Sequence, residues 1–214
     1  MQRVTAKICG LSTPETVDAA VRHGASHLGF VFFAKSPRNV DFEQARSLTM
    51  RVPPHVGKVG VFVDAEDEVI DAAVHVGGVD ALQLHGKEAP ARLAALRQRH
   101  PGIALWKAIS VRTRADLDAT RTYRPVADVI LYDAKTPEGM LPGGMGLRFD
   151  WTLLDGFDHP QRWALSGGID ADNVERAAGT TGTRLIDTSS GVESAPGIKA
   201  VDKIATFLQR IASL

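Results

Sequence analysis

Several short apolar runs of this chain end in a residue that can do chemistry. Lys7-Ile8-Cys9-Gly10 closes the first run. A cysteine there is either a small buried hydrophobe or a thiolate base or nucleophile. Free thiols titrate near about 8.5, so a working thiolate needs a neighbouring cation; Lys7 and Arg38 are the candidates. Asp133 closes Val129-Ile130-Leu131-Tyr132. A carboxyl group at an apolar mouth, drawn out of water, holds its proton more readily and suits general acid work. The alternative is a solvated carboxylate capping the next turn. Two later run ends, Ser166-Gly167-Gly168-Ile169 and Asp187-Thr188-Ser189-Ser190-Gly191, combine glycines with hydroxyls. Glycine lets backbone N–H groups approach phosphate oxygens, and a short helix N-terminus adds partial positive charge, so this pair reads as a phosphate site. Gln83, His85 and Lys107 are weaker candidates, equally readable as hydrogen-bonded core or rim residues. The scattered His23, His27, His55, His75, His100 and His159 have no metal-ligand spacing, and no metal is expected.

Such residues need regular elements to bring them to one face. The apolar patterning gives eight strand–helix pairs. The expected strands are Val4 to Ile8, His27 to Phe33, Lys58 to Val63, Ala81 to Leu84, Ala104 to Ile109, Val129 to Asp133, Arg162 to Leu165 and Leu185 to Asp187. The expected helices are Pro14 to His23, Phe42 to Arg51, Asp67 to Val76, Pro90 to Arg99, Arg114 to Tyr123, one from Trp151 to near Asp155, Asp172 to Ala178, and Ile198 to Ala212. Thr13 caps the first helix, Pro14 sits where a missing N–H costs nothing, and Gly24 ends it. Alternating strands and helices make βαβ units and a parallel sheet. Strands apolar throughout are those buried on both faces. Eight units in this length fit a closed (β/α)₈ TIM barrel of the α/β class, as one domain over residues 1–214. An open doubly-wound sheet is the competing architecture, but no G-x-G-x-x-G follows the first strand. In a barrel the chemistry gathers at the C-terminal ends of the strands, where every candidate above lies. Pro142-Gly143-Gly144-Met145-Gly146 lies in the longest connection and reads as a lid, a binding loop or an unconstrained surface loop.

Composition narrows the class. Lys+Arg and Asp+Glu each number 25, which excludes binding to nucleic acid by bulk charge. No apolar run approaches the ~20 residues of a membrane span, so no membrane partner is expected. The N-terminus has no long apolar stretch of a secretory signal, and one cysteine permits no internal disulfide. A reducing, cytoplasmic setting is the default expectation.

Taken in order, these blocks resemble the phosphoribosylanthranilate isomerase family of tryptophan biosynthesis. The match includes Lys7-Ile8-Cys9-Gly10, Lys35-Ser36-Pro37-Arg38, Leu82-Gln83-Leu84-His85-Gly86, Asp133 before Lys135-Thr136, Gly143-Gly144-Met145-Gly146, Leu165-Ser166-Gly167-Gly168 and Asp187-Thr188-Ser189-Ser190-Gly191-Val192-Glu193. The resemblance implies a TIM barrel with no metal or organic cofactor. It implies an Amadori rearrangement of N-(5-phosphoribosyl)anthranilate, an aminoaldose, to the aminoketose 1-(2-carboxyphenylamino)-1-deoxyribulose 5-phosphate. By the same resemblance Cys9 is the general base, Asp133 the general acid and Arg38 the partner of the anthranilate carboxylate. Gly167, Gly168, Ser189 and Ser190 form the phosphate cradle, with Asp187 near the ribose and Gln83 and His85 on the substrate. The expected partner is a small phosphosugar substrate, and the expected state a monomer or weak homodimer. Two residues depart from the family pattern: Ala134 where Thr is commoner, and Met145 where a small polar residue is. Competing expectations are the related histidine-pathway isomerase, which uses Asp where this chain has Cys9, and a non-enzymatic phosphosugar-binding barrel.

Overall fold

The computed structural model describes residues 3–135 and 146–214. Thr136, Pro142, Gly143, Gly144 and Met145, and with them most of the Gly-rich loop, lie outside the described residues. Eight strands run β1 (Thr5–Cys9), β2 (His27–Val31), β3 (Gly57–Phe62), β4 (Ala81–Leu84), β5 (Ala104–Val111), β6 (Val129–Ala134), β7 (Trp163–Leu165) and β8 (Leu185–Thr188). Each pairs in parallel with the next, and β8 pairs with β1, so the sheet closes into a barrel. Closure sets Lys7 opposite Asp187 on one side and His27 on the other.

Period-two alternation divides the strand residues between two cores. Ile8, Leu28, Phe30, Phe62, Leu82, Ile130, Tyr132 and Ile186 belong to the larger core, which also takes in the buried helix residues. Val59, Ala81, Trp106, Leu131, Ala164 and Leu185 form a second cluster from six different strands. A third cluster, of Cys9, Val31 and Val61, joins three neighbouring strand ends. The helices are α1 (Pro14–Arg22), α2 (Phe42–Thr49), α3 (Asp67–His75), α4 (Pro90–Arg99), α5 (Arg114–Asp118), α6 (Val174–Thr181) and α7 (Val201–Ala212). Thr13 caps α1 by accepting from the N–H of Thr16, and Gly24 turns the chain at φ +87°. None of the described helices is long and apolar enough to cross a membrane.

The main departures from expectation lie in the second half. The fifth helix stays α-helical only to Asp118 and continues as 3₁₀ over Ala119–Tyr123. There Thr120 and Thr122 return their hydroxyls to the carbonyls of Leu117 and Ala119, a competition that disfavours regular helix. Among the described residues between β6 and β7, a 3₁₀ turn, Trp151–Leu154, capped by Asp150, stands where a helix was expected. α6 starts at Val174 because Asp170 holds the N–H groups of Asp172 and Asn173 in a preceding turn. The last helix begins at Val201 rather than Ile198. Ile198–Lys199 is instead β10, paired antiparallel with β9 (Glu193–Ala195) across the Pro196-Gly197 turn.

Candidate active site

A cavity of about 400 Å³ opens among the C-terminal ends of the strands. Cys9, Arg38, Gln83, His85, Asp133, Asp187, Ser189 and Ser190 all line it. Gly167 and Gly168 are not among its walls; they shape the turn after β7. At φ +91°, a side chain on Gly167 would start 2.9 Å from the Ala134 nitrogen and 3.2 Å from Asp133 Oδ1. Glycine there lets the β7 end pass against the carboxylate of Asp133.

Cys9 sits at the end of β1 as a free, buried thiol. Lys7, two residues earlier and on the same strand face, is fully buried. A side chain on Gly29 would begin 2.9 Å from Cys9 Sγ and 3.0 Å from Lys7 Nζ, so the two groups share one small space left by a glycine. Burial pushes the Cys9 thiol above its ordinary value, while Lys7 and, more weakly, Lys199 pull it down. Lys7 donates to Asp187 Oδ1 at 2.9 Å, and Ser166 donates to Asp187 Oδ2 at 3.2 Å. Burial works against the charge on Lys7, but Asp187 and Cys9 together raise its pKa above the ordinary lysine value. Lys7 is therefore the cation beside the thiol. Arg38, the other candidate, is held by Glu193.

Asp133, next to last in β6, is 3% exposed. Its Oδ1 accepts from the Ala134 N–H at 2.9 Å, and its Oδ2 lies 3.0 Å from His85 Nε2. His85 Nδ1 in turn lies 3.2 Å from Gln83 Nε2. Gln83 Oε1 is buried with no hydrogen-bond partner among the described residues. An acceptor left bare in a buried place at the cavity wall is ready for a donor on a ligand.

At the opposite wall Arg38 donates from Nε and Nη2 to the two oxygens of Glu193, both at 2.7 Å. Lys199 donates to Glu193 Oε1 at 2.6 Å and to the carbonyl and hydroxyl of Ser189 at 2.9 and 3.1 Å. Ser189 Oγ donates to the Cys9 carbonyl at 3.1 Å. Burial would raise the pKa of Glu193, but its two cations outweigh that and hold it below the usual carboxylate range. Burial lowers Lys199 against the pull of Glu193. Lys199 is a functional candidate outside every motif of the sequence, and Glu193, though it closes the block that begins at Asp187, had no role assigned there. Pro196-Gly197 between them is a turn signal that could have marked the hairpin. Lys107 faces elsewhere: it pairs with buried Glu88 at 3.0 Å and caps the carbonyls of Leu84 and Gly86, beside the loop that carries His85. That is the core alternative. Among the described residues no group of three or more His, Cys, Asp or Glu is disposed to hold a metal ion.

A family model described as N-(5'phosphoribosyl)anthranilate (PRA) isomerase matches residues 6–210. The chain is 54% identical over 211 residues to the N-(5'-phosphoribosyl)anthranilate isomerase of Zymomonas mobilis subsp. pomaceae, covering 99% of each chain. It is 47% identical over 209 residues to that of Parvibaculum lavamentivorans, covering 96% of this chain and 97% of the relative. The fold matches the crystal structure of phosphoribosyl anthranilate isomerase from Thermotoga maritima with a TM-score of 0.87 at 36% identity, over 99% of this chain and 100% of that one. It also matches phosphoribosyl anthranilate isomerase in complex with reduced 1-(o-carboxyphenylamino)-1-deoxyribulose 5-phosphate, with a TM-score of 0.85 at 34% identity, over 99% and 100% of the two chains.

Proposed function

The chain belongs to the N-(5'-phosphoribosyl)anthranilate isomerase family, and from that premise we propose which of its residues carry out the rearrangement. The reaction is an isomerisation in tryptophan biosynthesis, and it needs an acid and a base. Opening the furanose requires a proton on the ring oxygen as the C1–O bond breaks and the anilino nitrogen forms a Schiff base. Asp133 delivers that proton. The iminium acidifies the C2–H bond, and Cys9, as thiolate, takes that proton to give the enolamine. C1 then takes a proton from the Cys9 thiol or solvent while the C2 hydroxyl gives up its own to the Asp133 carboxylate, directly or through solvent, which leaves the C2 ketone and returns both groups to their starting states.

The observation that carries this reading is the pair of environments around the two groups. Cys9 lies beside the buried ammonium of Lys7, and Asp133 lies beside His85, on one shared cavity. An ammonium favours thiolate over thiol. The His85–Gln83 chain fixes the orientation of the Asp133 carboxyl. Arg38 holds the anthranilate carboxylate, for which a planar guanidinium suits a two-point contact. Ser189, Ser190 and the backbone N–H groups of Gly167 and Gly168 hold the phosphate, with the Lys199 ammonium behind Ser189 adding positive charge. Asp187 faces the ribose, and the bare Gln83 Oε1 accepts from a substrate hydroxyl or from the anilino N–H. Phosphate binding, remote from the reacting bonds, supplies orientation. The chain acts without a metal or organic cofactor and as a monomer or weak homodimer in the cytoplasm.

The test is the loss of anthranilate fluorescence when freshly made substrate meets the protein. Cys9→Ala and Asp133→Asn should each lower turnover at least ~10²-fold, the scale of a lost acid or base. Near-normal turnover in either variant removes that residue from its role.

A further inference from the structure

Glu193 is a buried carboxylate that the proton transfers do not use. Its side chain is 4% exposed, yet it makes three charged contacts. Two go to Arg38 through Nε and Nη2, which fixes the plane of the guanidinium as well as its position. The third goes to Lys199, whose ammonium is also tied to Ser189. Lys203 holds the backbone of the same residue, donating to the Glu193 carbonyl at 2.7 Å. Glu193 is therefore anchored from several sides, while Arg38 comes from a distant loop after β2.

Charge counting says what such an arrangement is for. A carboxylate paired with Arg38 alone would cancel the charge that an incoming anion needs. With Lys199 on the same carboxylate, two cations share one anion, and the trio keeps a net positive charge. A ligand carboxylate at Arg38 then meets an oriented guanidinium in a site that is still electropositive. A neutral residue in place of Glu193 would remove the two contacts that set the plane of the guanidinium, an order that binding would then have to restore.

We propose that Glu193 is a positioning residue for the aromatic carboxylate of the substrate, acting through Arg38, with Lys199 preserving the positive charge of the pair. This rests on the assignment of Arg38 to that carboxylate. Glu193 thereby sets selectivity for an ortho-carboxylated aniline over plain aniline on the same phosphosugar.

The experiment uses two ligands: the reduced product, in which the C2 ketone is an alcohol, and the same molecule without its ring carboxylate. Calorimetry gives the ratio of their dissociation constants for the wild type, Arg38→Ala, Glu193→Gln and the double variant. Glu193→Gln should cut the preference for the carboxylated ligand by about tenfold or more, within the range of ordinary coupling between sites. It should do nothing further in the Arg38→Ala background. In turnover it should raise KM while kcat stays within a few-fold, since Cys9 and Asp133 are untouched. Wild-type preference in Glu193→Gln overturns the proposal, as does a preference loss that adds independently to that of Arg38→Ala. Full preference in Arg38→Ala instead overturns the Arg38 assignment, and the proposal with it. Glu193→Asp, which keeps the charge on a shorter stem, is the second variant should Glu193→Gln fail to fold. An intermediate loss supports positioning, and wild-type preference in it together with wild-type KM counts against it.

Discussion

Replacing Lys7 by Met separates the electrostatic role of this residue from its structural one. Lys7 Nζ and Cys9 Sγ both lie within about 3 Å of one point above Gly29, so the charge and the sulfur are within about 6 Å of each other. At an effective dielectric of about 20 that interaction is worth about 3 kcal/mol, or about 100-fold in the balance between thiolate and thiol. The thiol already sits above its ordinary value because of burial, so activity that depends on thiolate should rise with pH in the wild type. Losing Lys7 should move that rising limb to still higher pH and lower kcat/KM about 100-fold near neutral pH. Part of the loss should return as the pH is raised. The same change strands Asp187, whose only described ion-pair partner is Lys7. A buried ion left without its partner costs about 3–5 kcal/mol of stability, here offset in part by Ser166. Lys7→Met/Asp187→Asn should recover stability and bring the limb partly back, because Asp187 itself raises the thiol. The assay is kcat/KM from anthranilate fluorescence across the pH range of folded protein, with melting curves in parallel. A rate loss equal at every pH would refute the electrostatic account, and so would an unshifted limb.

Other outcomes follow from the same structure. His27 is half-buried against Trp106 with its pKa pulled down to about 4, chiefly by desolvation. It is neutral when folded and protonated when unfolded between pH 6.5 and about 4, so stability should fall as pH drops through that window. The shift caps the loss at about 3 kcal/mol; His27→Gln should flatten the pH dependence of denaturant midpoints, and an unchanged slope would exclude His27 as its source. Phe207 is fully buried on α7, and Phe207→Ala should cost about 3–5 kcal/mol in urea unfolding; a loss below about 1 kcal/mol would mean the site collapses around the cavity. Lys107→Met leaves Glu88 buried without its cation and should cost about 3–5 kcal/mol. Because that pair fastens the loop carrying His85, kcat should also fall, and a normal kcat in the folded variant would sever Lys107 from the site.

Much of this protein is legible locally. The apolar runs give all eight barrel strands within about two residues, and β4 and α4 match their expected bounds. Thr13, Pro14 and Gly24 fix the first helix through their own backbone chemistry. Cys9, Asp133 and the two glycine–hydroxyl turns stand out because a polar residue at the end of an apolar strand has a predictable place in a closed barrel. What the chain could not reveal by itself is pairing. Lys7 meets Asp187, and Arg38 meets Glu193, across 180 and 155 residues. No local propensity encodes such meetings, since they exist only once β8 closes against β1 and fixes the register. The hairpin that carries Glu193 and Lys199 escaped notice for the same reason. Ile198 and Lys199 can equally begin a helix, and the burial of one carboxylate between two cations from different parts of the chain decides that they do not. Residue types and strand periodicity thus determined which groups reach the mouth of the barrel, whereas the charges and partners those groups acquire there were decided by barrel closure, because electrostatic neighbours are set by distance in space.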